Sequence, residues 1–309
     1  MTDAIDGSTT TKRAPLAVGQ APPGYRLPSE MRLGEVQLQI AELDRSLDYY
    51  QRVLGLRVLD RSSGVATLAA YGDDTPLVRL HERRGAAPVP HQGLIGLYHF
   101  AILLPDRPSL GRFVAHLGEI GARAGASDHL VSEALYLRDP DGLGIEVYVD
   151  RPRSSWSATD RQIRMATEPL DLDAVVATAG GARWTGMPAG TRMGHVHLHV
   201  GNLEQASRFY HQALGLDRMV WNYPGALFLA AGGYHHHLGL NTWAGAGARA
   251  AGDSDARLLE WRVVLPPAHS VLARSSLEAA GYAVNSSSEG WRAADPWGTT
   301  LHVVEERAH

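Results

Sequence analysis

The run GHVHLHV, residues 194–200, sets His195, His197 and His199 at alternate positions with Val196, Leu198 and Val200 between and after them. A period of two gives a β-strand with one aliphatic face and one imidazole face. Near neutral pH an imidazole serves as a metal ligand or as an acid–base group. A second histidine cluster is YHHH (234–237), and His99 opens the run HFAILLP (99–105). Carboxylates stand in comparable runs, Glu146 in RDPDGLGIEVYVD (138–150) and Glu260 in EWRVVLP (260–266). The chain has 15 histidines and no cysteine. A metal site must therefore be built from imidazole and carboxylate, and disulfides, thiolate ligands and cysteine nucleophiles are excluded.

The elements that must position these groups follow from internal repetition. GEVQLQIAELDRSLDYYQRVLGL (34–56) lies without gaps on GHVHLHVGNLEQASRFYHQALGL (194–216), a shift of 160 that puts Glu35 on His195. HFAILLP matches EWRVVLP with a shift of 161, and RDPDGLGIEVYVD matches ADPWGTTLHVVEE (294–306) with a shift of 156. Repetition of this length means duplication of a whole domain. Within each half the pattern of strand, amphipathic helix and further strands is read twice, starting near Gly34, Leu97, Gly194 and Leu259. In the second unit Leu110, Phe113, Leu117 and Ile120 share one helix face, stopped by Gly121. DPDG (139–142) and DPWG (295–298) are turn sequences, and Glu146 or His302 stands on the strand that follows. Residues 1–30 read as a flexible lead-in. Residues 31–150 read as a first pair of units, 151–190 as a linker with a helix in EPLDLDAVVATA, and 191–309 as a second pair.

With 309 residues, 44% hydrophobic and 20% charged, the chain can bury a large core. A net charge of −4 and no basic stripe with interleaved aromatics argue against nucleic acid. No apolar run approaches the ~20 residues of a membrane span, and the opening residues lack the apolar core of a signal peptide. A cytoplasmic address is expected.

Four βαβββ units, with strand-borne His and Glu and a DPxG turn before the last strand, resemble the vicinal oxygen chelate superfamily. The runs MGHVHLHV, FYHQALGL, AGGYHHHLGLNTW and GASDHLVSEALYLRDPDGLGIEVYVDRPR are similar to the extradiol ring-cleaving dioxygenases of the catechol 2,3-dioxygenase type, over residues 31–306. The resemblance implies an α+β fold in which the units form two pseudo-twofold open-barrel modules. It also implies Fe(II), in some members Mn(II), held by two His and one carboxylate with positions open for an aromatic diol and O2, and a homo-oligomer. Carried over residue by residue, the ligands are His99, Glu146 and His195. His236 is the acid–base histidine, Tyr136 a hydrogen-bonding partner of the substrate oxygen, and His129 a second donor there. This triad joins units two and three, so unit one must pair with unit four.

Sequential pairing would instead offer His195, Glu260 and His302. A glyoxalase-type isomerase, with Glu35 as a second carboxylate on the metal, and a metal-free binder of aromatics are the other readings. His197 and His199 read as structural or solvent-facing imidazoles. His235 and His237 would face away from His236 if that run is extended. DRPR (150–153) reads as a surface exit into the linker.

Overall fold

The computed structural model describes residues 18–306. The first unit comprises β1 (Arg32–Ile40), α1 (Leu43–Arg52), β2 (Arg57–Ser62), β3 (Val65–Ala69) and β4 (Pro76–Glu82). The second has β5 (Gly96–Leu103), α2 (Arg107–Glu119), β6 (Gly125–Asp128), β7 (Ser132–Arg138) and β8 (Gly144–Asp150). The linker carries a two-stranded hairpin, β9 (Ala158–Thr159) and β10 (Gln162–Ile163), and the expected helix α3 (Leu172–Ala177). The third unit holds β11 (Arg192–His199), α4 (Leu203–Ser207) continued by a π-helical turn over Arg208–Ala213, β12 (Asp217–Val220), β13 (Ala226–Ala230) and β14 (Leu238–Asn241). The fourth holds β15 (Arg257–Leu265), α5 (Pro267–Ala279), β16 (Val284–Ser287), β17 (Gly290–Ala294) and β18 (Thr300–Glu305).

The units pair crosswise. β1 runs antiparallel to β15, and β5 to β11. The resulting eight-stranded sheets have the orders β16-β17-β18-β15-β1-β4-β3-β2 and β12-β13-β14-β11-β5-β8-β7-β6. Units one and four thus form one open barrel, and units two and three the other. Segments 31–150 and 191–309 each give one unit to each sheet. Within every unit the first and last strands are parallel neighbours, which brings a residue of the last strand beside the opening strand.

Local chemistry sets the registers. Asp106 accepts the N–H of Ser109 at 2.7 Å and Asn202 that of Gln205 at 2.9 Å, so each is an N-cap seven residues beyond His99 or His195. In the DPxG turns Asp139 accepts the N–H groups of Asp141 and Leu143 at 2.9 and 2.8 Å. Asp295 does the same for Trp297 and Thr299. The Tyr50 hydroxyl on α1 donates to Asp139, and that of Tyr210 to Asp295. Units adjacent in sequence are therefore tied through these turns, although their sheets are shared with the other half. Burial pushes the Asp139 carboxyl up to about 7. One apolar core runs through both sheets, including Leu38, Phe100, Val196, Leu198, Trp261 and Leu301.

Three expectations change. Leu110, Phe113 and Leu117 of α2 are buried, but Ile120 is 42% exposed because the helix ends before it. The lead-in is packed chain from Val18 onward. Arg26 makes a two-pronged ion pair with buried Asp217, Leu27 is buried, and Gln20 bonds to Arg218; residues 1–17 lie outside the described part. The linker is also more than a spacer, since its residues Met165–Thr167 wall the site described next. Among the described residues no helix is long and apolar enough to cross a membrane.

Candidate metal centre

β5, β8 and β11 are adjacent in one sheet, and the register sets His197 opposite His99, His195 opposite Ala101, and Ala101 beside Glu146. Within a β5–β11 ladder that is irregular between Met193 and His195 and between His197 and Leu198, the two-residue period of the strand puts His195 and His197 on one face of the sheet. There the Nε2 atoms of His99 and His195 each lie 3.0 Å from Oε2 of Glu146. The three donor atoms lie within 4.8 Å of one another, and no other such group occurs among the described residues. All three side chains are buried, at most 5% exposed.

The charge states suit a cation. Burial would raise the Glu146 carboxyl, yet His195 and His99 outweigh it and hold the group well below the usual carboxylate range. Burial lowers His99, leaving it neutral. His99 Nε2 is near Glu146 but off the hydrogen-bond direction, and it has no hydrogen-bond partner. An orphaned buried nitrogen costs stability unless something else takes its lone pair. A divalent ion shared by His99, Glu146 and His195 would do so, and two His with one carboxylate is a donor set for Fe(II) or Mn(II).

Above the triad lies a cavity of about 240 Å³, lined among others by Tyr98, Tyr136, His197, Phe228, His236 and Trp243. Tyr136 on β7 is directly opposite Glu146, and burial pushes its phenol well above the usual value. Its hydroxyl is 2.5 Å from His129 Nε2, while His129 Nδ1 is 2.6 Å from the Ala166 carbonyl. The carbonyl only accepts, so Nδ1 carries the hydrogen, and on a neutral imidazole Nε2 is then the acceptor to which Tyr136 donates. The His236 ring packs 4.1 Å from His195 and 5.0 Å from Phe228. All six residues singled out in the sequence thus line one cleft or its floor.

The other histidines of the opening run are buried, not solvent-facing. Asn241 donates to His197 Nε2 at 3.0 Å and accepts from His199 Nδ1 at 2.6 Å. Gly239 leaves the space His197 fills, since a Cβ there would lie 2.7 Å from its ring. Tyr98, Tyr223, Phe228, Trp243 and Met165 also line the cavity. They escaped sequence reading because aromatics on strands and in loops look like ordinary core. For Tyr98 the cue was its place beside His99.

The sequentially paired alternative is excluded, because His195 belongs to one sheet and Glu260 and His302 to the other. At the corresponding place of that second sheet Glu35 pairs with Arg79 and Arg262, and Glu260 with Arg262, Arg292 and His302. Its carboxylates are already neutralised by guanidinium groups.

Residues 32–147 match the Glyoxalase/Bleomycin resistance protein/Dioxygenase superfamily. A catechol-2,3-dioxygenase of Bacillus subtilis (strain 168) is 44% identical over 272 residues, 86% of this chain and 94% of that protein. A lactoylglutathione lyase of Neisseria meningitidis serogroup A is 33% identical over 123 residues, 38% of this chain and 88% of that protein. The crystal structure of a provisionally assigned dioxygenase from Bacillus subtilis subsp. subtilis str. 168 superposes with a TM-score of 0.61 at 12% identity. It covers 92% of this chain and 87% of that one, a likeness of fold. Near-full-length identity to the dioxygenase, joined to the repeat architecture and the buried His, His, Glu cluster, places this chain in the glyoxalase, bleomycin-resistance and dioxygenase superfamily, as an extradiol dioxygenase.

Proposed function

We propose that the enzyme uses Fe(II), with Mn(II) as the substitute, and O2 to open the ring of catechol or a substituted catechol beside its two hydroxyls, giving a hydroxymuconic semialdehyde-type product. The observation that carries this reading is the buried His99, Glu146 and His195 cluster at the floor of a small aromatic cleft. When bound there, the iron would chelate the diol, lower its pKa and provide the spin-allowed route to O2 that side chains alone lack. His236, which lines the cleft, is the proposed general acid–base group, taking a hydroxyl proton from the diol and returning it later. Tyr136, its hydrogen committed to His129, presents lone pairs that accept a hydrogen bond from the substrate hydroxyl. His129 thereby holds Tyr136 in place and is a donor only if that bond reverses.

Size and charge narrow the substrate. A cavity of about 240 Å³ is below the range of about 300–1,000 Å³ usual for drug-sized ligands, which suits a single ring with small substituents. None of its lining residues is Lys or Arg, and Arg123 and Arg138 line the adjoining pocket that shares Tyr98, His99 and Tyr136, so a carboxylated ring would find cations only there. The isomerase reading needs a second carboxylate on the metal, and Glu35, the candidate for it, is engaged by Arg79 and Arg262 in the other sheet. A small aromatic diol and O2 remain the proposed partners, with a homo-oligomer in the cytoplasm as the proposed setting.

Fe(II)-loaded protein mixed anaerobically with catechol and then exposed to air should turn yellow and consume one O2 per ring. Absence of product across catechol, alkylcatechols, chlorocatechols and hydroquinones would sink the proposal. Turnover of a thiohemiacetal with Ni(II) or Zn(II) would replace it by the isomerase reading.

A further inference from the structure

Resting on the assignment of His236 as the base, the geometry points to Asp150 and His235 as a positioning pair that sets which nitrogen of His236 faces the cleft. The YHHH run is not extended: it bends, so His235 and His236 lie side by side with their Nδ1 atoms 2.8 Å apart. His235 Nε2 is 2.8 Å from Asp150 Oδ1. An ionised carboxylate only accepts, so His235 Nε2 carries the hydrogen. On a neutral imidazole His235 Nδ1 is then the acceptor, and His236 Nδ1 must donate to it. That leaves His236 Nε2 with its lone pair free for a substrate proton. A His236 of the opposite tautomer would offer a hydrogen there and could not act as base.

Asp150 is itself held. The Tyr234 hydroxyl lies 3.0 Å from both its oxygens, and the Tyr148 hydroxyl is 2.7 Å from that of Tyr234. Gly194 makes this possible, because a Cβ there would collide with the Tyr148 hydroxyl. His235 is fully buried, whereas Asp150 borders the cavity between the two sheets. DRPR is therefore more than a surface exit. The fold does not require the network. In the other sheet the strands pair in the same register, but Thr75, Pro76, Val304 and Glu306 stand where His235, His236, Tyr148 and Asp150 do.

The decisive measurement is long-range 1H–15N NMR of the His236 ring in wild type and in Asp150→Asn, on metal-free protein. Wild type should show the Nδ1–H tautomer, and the variant should lose it; an Nε2–H ring in wild type overturns the proposal whether or not the enzyme turns over a diol. On Fe(II)-loaded protein active on catechol, Asp150→Asn and His235→Phe should each lower kcat by about tenfold or more. KM and bound iron should stay unchanged, and Asp150→Glu should recover most of the rate. In a His236→Ala background Asp150→Asn should cost nothing further. An equal cost in both backgrounds means that Asp150 acts apart from His236 and overturns the pair. Wild-type protein inactive on every diol removes the proposed function instead, leaving the NMR result to judge the tautomer.

Discussion

The two sheets share one topology and nearly one register, yet they treat the same three positions in opposite ways. In the sheet of units two and three, one carboxylate meets two imidazoles with an unpaired buried nitrogen among them. In the sheet of units one and four, two carboxylates and one imidazole meet Arg79, Arg262 and Arg292. Gln37, which replaces His197, donates to Glu260 at 2.9 Å and accepts from His81. The first face is short of positive charge and the second has supplied its own. The scaffold creates a concave face with converging positions, and the side chains decide whether that face recruits an ion or closes on itself.

The largest effect expected from breaking this contrast is at Glu146. Glu146→Ala should abolish stoichiometric iron and ring cleavage, while Glu260→Ala should leave both intact, as read by metal analysis and O2 uptake. Iron that survives the first change and disappears in the second would reverse the assignment of the two faces. Next, His236→Ala should lower kcat by about 10²–10⁴-fold while iron content stays at the wild-type value. Iron lost with the rate would make His236 a ligand instead of a base.

In the other sheet the effects are on stability. Glu260→Ala strands four cationic or donor partners, Gln37, Arg262, Arg292 and His302, and should cost about 1–3 kcal/mol, measured by urea unfolding. The pH dependence has a definite sign. Burial acts to raise Glu260, but His302 and Arg292 bring it down to about 2 from an ordinary 4.5. Its stabilisation is therefore complete above about pH 4.5 and is lost as the pH falls toward 2. Glu260→Gln should flatten that part of the acid limb; an unchanged slope would remove Glu260 from the account. The smallest effect is the most telling. The triple change Glu35→His, Glu260→His and His302→Glu copies the ligand types of the first face, yet should add no second metal equivalent, because Arg79, Arg262 and Arg292 remain. A second bound ion would show that ligand identity alone suffices.

Much of the candidate site was legible through the family resemblance, because the features that carry that resemblance are local. His99 and His195 stand seven residues before an N-cap, and Glu146 stands seven after an aspartate that builds its turn from its own neighbours' N–H groups. These offsets are consequences of strand rise and capping, so they survive in any register of the larger sheet. Tyr136 came with the same resemblance, three residues before that aspartate. What escaped were contacts between segments far apart: the Ala166 carbonyl that sets the His129 tautomer, the Asp150 carboxylate behind His235, and the packing of residues 18–30 on the third unit. None of these has a periodicity.

The sequence alone thus determined the four units, their duplication and the ligand types each could offer, since period-two strands, capped helices and DPxG turns are encoded within a few residues. Only the tertiary structure decided that β5 lies beside β11 and β1 beside β15, which gathers His99, Glu146 and His195 on one face and leaves the other an arginine-filled lock. That choice depends on burying both apolar faces at once across the whole molecule, a sum over distant contacts that no single segment carries.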